Sequence, residues 1–138
     1  MIIEHKKYTV ELEKIYLTSR KKVLKLFKNK TVLKLTGADT IKGNFDTGKD
    51  FLLTFNDRGK ITGHIIYLLK DHICLSWNVE GFNLPDEYST VNIFLDKKGE
   101  KCILTLIHEG IKNKRSAELK DKAWTEILED LEKELNRI

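Results

Sequence analysis

The sequence has 138 residues, 41% of them hydrophobic and 33% charged, a balance that excludes a disordered polar chain and at this length leaves room for one hydrophobic core, so a single domain over residues 1–138 is expected. The formal charge of +4 is too small an excess to mark a dedicated nucleic-acid binder, and no stretch is apolar for long enough to span a bilayer. Cys74 and Cys102 stand in no metal-ligand or redox spacing, and the N-terminus from Met1 to Lys7 lacks the apolar core of a secretory signal, so a reducing cytoplasm is the expected compartment.

Tyr8, Val10 and Leu12 alternate with polar residues, and Ile15 and Leu17 then take up the other parity, which predicts a first strand with a bulge near Glu13. Thr18 or Ser19 follows as a helix cap. Val23, Leu24 and Phe27 share one helical face, and the helix is expected to end at Asn29. A second short helix over residues 31–35 stops at Gly37, which enters the left-handed conformation without a Cβ clash. Residues 19–35 hold Arg20, Lys21, Lys22, Lys25, Lys28, Lys30 and Lys34 with no acidic residue among them, so this helix pair is expected to present a positive surface, with Arg20, Lys21, Lys22, Lys25 and Lys28 as its candidate residues.

Six strands are then expected, over residues 40–45, 50–55, 60–69, 72–79, 89–96 and 101–109. Asn56-Asp57-Arg58-Gly59 and Asp96-Lys97-Lys98-Gly99 supply hairpin turns, because these residues tolerate positive φ. Short connections make consecutive strands antiparallel. In residues 72–79 the apolar Ile73, Leu75, Trp77 and Val79 form one face, and Cys74, Ser76 and Asn78 a milder one. Residues 117–136 carry Leu119, Ala123, Ile127 and Leu131 on one row with Trp124, Leu128 and Leu135 beside it, an amphipathic helix of about 30 Å that must bury its stripe on the sheet. The predicted architecture is α+β: a curved antiparallel sheet of about seven strands wrapped on a long C-terminal helix, with two short helices after strand 1.

Phe51, Leu53, Phe55, Ile65, Tyr67, Trp77, Leu106, Trp124 and Leu128 are candidates to line a cavity between sheet and helix, or equally to fill it. His108 shares strand parity with Leu104 and Leu106 and is expected to face the same concavity, as a polar group beside an apolar pocket. His5, His64, His72 and His108 stand at no ligand spacing to one another or to a cysteine, so no metal and no cofactor is expected. Glu80, Asp86 and Glu109 read as solvated strand ends rather than a catalytic pair, and no Ser/His/Asp order, nucleophile elbow or phosphate loop occurs.

Several strings in order sharpen this plan: Thr36-Gly37-Ala38, then Gly43, Phe45 and Gly48; Gly63 inside a strand; Leu75-Ser76-Trp77; residues 88–93; Leu104-Thr105-Leu106-Ile107-His108-Glu109-Gly110; and Trp124, read as opening the long helix. Together they resemble the activator of heat-shock-protein-90 ATPase homologues, a branch of the START-like (SRPBCC) helix-grip superfamily, over about residues 8–135; Leu35 departs from the pattern, which commonly has an aromatic there. The resemblance implies a non-catalytic binding domain that takes a small hydrophobic ligand or acts in a chaperone-associated stress response. Two other readings stay open. One is a START-like cyclase, aromatase or hydrolase, which needs at least two polar side chains converging in the cavity. The other is a protein-interaction module using residues 19–35 and the loop 81–88. The partners expected are a hydrophobic ligand and a chaperone or other acidic protein, with no nucleic acid, and the chain is expected to be a monomer or homodimer.

Overall fold

A computed structural model describes residues 8–83 and 85–137. Strand β1 (Tyr8–Tyr16) leads into helices α1 (Arg20–Lys28) and α2 (Thr31–Lys34). Six strands follow, β2 (Thr40–Gly43), β3 (Asp50–Phe55), β4 (Gly59–Leu68), β5 (His72–Glu80), β6 (Glu87–Lys98) and β7 (Lys101–Ile111), and then helix α3 (Lys114–Leu135). The strands form one antiparallel sheet in the order β1-β7-β6-β5-β4-β3-β2. Since β1 and β2 lie at opposite edges, α1 and α2 carry the chain across the sheet, and the hairpins then walk it back. This is the α+β helix-grip fold expected from the sequence.

Inward side chains of six strands meet α1, α2 and α3 in one apolar cluster. Helix α1 enters it with Val23, Leu24, Leu26 and Phe27, and Ser19 is its cap, accepting a hydrogen bond from the Lys22 N–H. A run of aromatic contacts crosses the interior: Phe27 to Phe45 at 6.0 Å between ring centroids, Phe45 to Phe51 at 6.1 Å, Phe51 to Trp77 at 5.9 Å and Trp77 to Trp124 at 4.9 Å. Helix α3, about 33 Å long, is capped by Asn113, whose side chain accepts from the Ser116 N–H at 2.8 Å. It buries Trp124, Ile127, Leu128 and Leu131, each contributing roughly 1.5–3 kcal/mol on removal from water. At its C-terminal half the Tyr16 hydroxyl donates to the Leu128 carbonyl at 2.7 Å, and Lys14 pairs with Glu132 at 3.4 Å.

Several expectations are corrected. Strand β1 has no bulge near Glu13: the irregularity lies between Tyr8 and Val10, where β7 carries one extra residue beside Gly110 at φ +85°. Parity therefore persists to the buried Tyr16, leaving Ile15 at 48% and Leu17 at 82% exposure. Strand β2 ends at Gly43, although Phe45 beyond it is still buried. Strands β6 and β7 run closer together than the Asp96 to Gly99 turn implied, because Lys98 pairs with Lys101 and only Gly99 and Glu100 form the loop. Helix α3 begins at Lys114, so Trp124 lies in its middle rather than opening it. Both cysteines are free and buried. Residues Met1 to Lys7, His5 included, and Leu84 of the loop 81–88 lie outside the described residues.

Gly63 is required by close packing, since a Cβ on it would collide with the Phe51 ring and stand 2.8 Å from the Ser76 carbonyl oxygen. Gly63→Ala is expected to lower unfolding free energy by about 2 kcal/mol, as overpacking in a filled core does, measurable by urea denaturation; an unchanged midpoint would show that Phe51 can move aside freely.

Candidate ligand cleft between the long helix and the sheet

The inner face of the sheet turns polar at one end. Glu87 and Ser89 of β6 share parity with the buried Val91, and His108 of β7 shares it with Leu104 and Leu106; all three polar residues are buried. Opposite them, Ser116, Lys120 and Trp124 recur at every fourth position of α3 and so stand on one row.

The bonds between these rows determine the state of His108. The Trp124 indole N–H, which can only donate, reaches His108 Nδ1 at 3.0 Å, so Nδ1 is unprotonated. Nε2 then carries the ring proton and donates to Ser89 Oγ at 2.6 Å, and Ser89 in turn donates to the Trp77 carbonyl at 2.7 Å. Burial, reinforced by the Lys120 charge and opposed by Glu87, holds the imidazole down to about 3. It is a neutral link between helix and sheet, with both nitrogens committed. Beside it Glu87 takes Lys120 at 2.7 Å, the Lys112 backbone N–H at 3.0 Å and the Ser116 hydroxyl at 3.2 Å. Burial pushes its carboxyl up, but the Lys120 hydrogen bond, the Lys112 N–H, the Lys120 charge and Ser116 outweigh burial and hold it below the usual range.

This clasp seats α3 so that its neighbouring row overhangs the inner face of β3, β4 and β5. Ala123 is exposed and Leu119 is 48% exposed, although the periodicity placed both on the buried stripe. Under them is a cleft of about 330 Å³, walled by Phe55, Ile61, Trp77, Val79 and Phe82 on the sheet side and by Leu119, Ala123, Trp124 and Ile127 on the helix. Thr36, Arg58 and Lys120 supply its polar side chains. Three larger depressions have mostly polar or charged linings: one of about 550 Å³ on the outer face around Asp50, His64 and Ser76, one of about 710 Å³ beside α1, and one of about 470 Å³ around Asp71, His72 and Asp96.

Of the predicted cavity residues, Phe55, Trp77 and Trp124 line the cleft. Phe51, Leu53, Ile65, Leu106 and Leu128 fill the core instead, and His108 stands behind Trp77 and Trp124, with ring centroids at 6.5 Å and 6.3 Å. Tyr67 is on the opposite face. An extra residue at Ile66 shifts the register of β4, so Tyr67 pairs with Cys74 and its hydroxyl approaches His72 Nδ1 at 3.2 Å. His64 pairs with Asp50 on the outer face, Glu80 with Lys60 at 3.5 Å, and Asp86 accepts the Gly81 N–H at 3.3 Å. Ile61, Val79, Phe82, Leu119 and Ala123 line the cleft without having been singled out for it, and Glu87, Ser89, Ser116 and Lys120 were missed as its support.

The profile of the family described as Activator of Hsp90 ATPase homolog 1-like protein matches residues 16–136. Among solved structures, MLL2253 from Mesorhizobium loti is similar with a TM-score of 0.79 at 18% identity, over 94% of this chain and 98% of that one. CalU16 from Micromonospora echinospora gives 0.69 at 19% identity, over 89% and 71%. DynU16, a protein of the dynemicin biosynthetic locus, gives 0.75 at 12% identity over 93% of this chain, which spans 47% of that one. These likenesses show the shared fold. No curated protein matches the chain.

His108 has a folded-state pKa near 3 against an ordinary 6.5, so the unfolded chain takes up the proton first as pH falls. Stability is therefore full above about pH 6.5 and declines below it, with a slope approaching about 1.4 kcal/mol per pH unit; the lowered Glu87 adds to the loss below its ordinary 4.5. In His108→Gln, which keeps one acceptor and one donor but does not titrate, the part of the decline between pH 6.5 and 5 is expected to vanish in urea denaturation. Equal slopes in both proteins would show that His108 is not its source.

Proposed function

The chain belongs to the Activator of Hsp90 ATPase homolog 1-like family of START-like proteins, and on that footing we propose that it is a non-catalytic binding domain taking a small hydrophobic ligand in the cleft beneath α3. The observation that carries this is the pair of tryptophans, Trp77 and Trp124, set 4.9 Å apart at the wall of a recess whose other liners, apart from Thr36, Arg58 and Lys120, are aliphatic or aromatic. Such a recess, apolar with a few polar groups at its edge, suits small-molecule binding. Binding is favoured over chemistry because the cleft's side chains bring no carboxylate or imidazole to its surface, and His108, the nearest titratable ring, has both nitrogens engaged.

Ala123 lines the cleft with an exposed side chain that takes no part in the core, so a larger residue there fills the cleft without disturbing the packing beneath. Ala123→Phe is therefore expected to leave folding intact and to weaken binding of a neutral apolar probe, 1-decanol, at least tenfold, read as loss of its thermal shift. No shift in the wild-type protein, or an undiminished one in the variant, would place the function elsewhere.

A second reading has its own support. Arg20, Lys21 and Lys22 at the start of α1 meet Lys70 from the β4–β5 turn and Lys97 near the end of β6 around the 710 Å³ concavity, with Glu100 the one acidic liner and the exposed Leu17 at its side. Five cations from three chain segments suit an acidic protein partner, of which a chaperone in a stress response is the kind the family name suggests. Reversing the charge of Lys21 and Lys22 is expected to abolish salt-sensitive association with such a partner; association that ignores both salt and these substitutions would remove this reading.

A further inference from the structure

Building on the cleft as a ligand site, we propose that its ligand is an apolar carboxylic acid, with the hydrocarbon or ring body packed against Trp77 and Trp124, which touch each other at the cleft wall, and the carboxylate on Arg58. The argument is an inventory of donors and acceptors. Of the polar side chains lining the cleft, arginine, lysine and tryptophan can only donate. Thr36 alone has an acceptor oxygen, and that hydroxyl is already engaged, donating to the Leu33 carbonyl at 2.5 Å and accepting the Ala38 N–H at 3.3 Å, which leaves at most one lone pair for a ligand. A ligand that arrives with more than one hydrogen-bond donor finds no side-chain partner for the rest and loses their hydration without return. One that arrives with acceptors is matched.

The donors are not all available. Lys120 is held by Glu87 at 2.7 Å and by Ser116 at 2.9 Å, and the Trp124 N–H by His108. Arg58 is different. It sits at the end of the β3–β4 turn, where Asp57 at φ +58° reverses the chain, and its guanidinium carbon rests 5.7 Å over the Phe55 ring. Phe55 is itself packed edge-on against Phe82 at 5.3 Å. Among the described residues no carboxylate pairs with Arg58. The indole N–H of Trp77, at the cleft wall, likewise donates to no group among the described residues, and it is not sealed from water. An exposed cation resting on an aromatic face at the lining of an apolar recess, with the Trp77 donor also unpaired, is the arrangement a carboxylate with a hydrophobic tail fits, since the planar guanidinium takes both carboxylate oxygens together.

The test compares decanoic acid with 1-decanol at pH 7.5 by tryptophan fluorescence titration, in the wild-type protein, in Arg58→Gln and in Arg58→Lys, with thermal midpoints confirming that each is folded. The acid is expected to bind the wild-type protein about tenfold more tightly than the alcohol. That preference should disappear in Arg58→Gln, be partly restored in Arg58→Lys, and leave the alcohol's affinity unchanged. Equal affinity for both probes in the wild-type protein would overturn the carboxylate assignment while the cleft stands as an apolar site. A preference that survives Arg58→Gln would remove Arg58 from the site. Failure of both probes to bind would overturn the assignment together with the cleft reading on which it rests.

Discussion

Everything distinctive about this molecule depends on where α3 is seated, and a buried polar interlock seats it. Ser116, Lys120 and Trp124 meet Glu87, Ser89 and His108, all of them buried except the partly exposed Lys120. An apolar stripe alone is tolerant, because a helix slid or rotated by a residue buries nearly the same area. A row of buried donors and acceptors is not tolerant, since each group left unpaired costs about 1–3 kcal/mol. Here the Trp124 N–H, both imidazole nitrogens and the Ser89 hydroxyl are satisfied in one arrangement only. The Tyr16 hydroxyl on the Leu128 carbonyl repeats the device toward the other end of the helix. The rotation of α3 is thereby set, and with it the exposure of Leu119 and Ala123. The cleft is what remains when polar pairing rather than apolar area decides the angle of the helix.

That ordering of forces explains what the sequence made legible. The order of elements, the single antiparallel sheet and a cap at Thr18 or Ser19 follow from local rules of alternation, turn chemistry and helical periodicity, and the structure has each, with Ser19 as the cap. The inward direction of His108 followed from its parity with Leu104 and Leu106. Parity misled where a single residue altered a register. Ile66 turns Tyr67 to the outer face, and the extra residue of β7 beside Gly110, rather than one near Glu13, adjusts β1 to its partner. Neither shift leaves a mark in hydropathy. Glu87 was lost for a related reason: with β6 read as starting at Ser89, it fell in a loop, where a glutamate needs no partner. Its signal lay in the parity it shares with Ser89 and Val91, and in the four-residue spacing of Ser116, Lys120 and Trp124.

The core also limits what the cleft can hold. In a helix-grip fold the space between sheet and helix can be a deep chamber or solid packing, and here the aromatic run from Phe27 through Phe45, Phe51 and Trp77 to Trp124 packs most of it. Gly63 contributes by omission, because only the lack of a Cβ lets the Phe51 ring lie against β4. What stays open is the end bounded by the β3–β4 turn and Phe82, where Trp77 and Trp124 form the wall and the ring of Phe51 packs against Trp77, so the proposed ligand has no deeper chamber to enter.

The same tryptophans join the cleft to the clasp. Trp124 presents its ring to the cleft while its N–H holds His108, and Trp77 lines the cleft while its backbone carbonyl receives Ser89. The proposed ligand site and the seating of the helix therefore share two residues. A ligand pressed against Trp124 favours the orientation that the imidazole already requires, so it stabilises the clasp without rearranging it. Protonating His108 works in the opposite sense, because a second ring N–H would face the Trp124 N–H and push the indole from its place. By linkage, a ligand that favours the seated indole must lower the proton affinity of His108 further, and acid must weaken the ligand. The cleft and the buried imidazole are two sides of one indole, and a change at either is felt at the other.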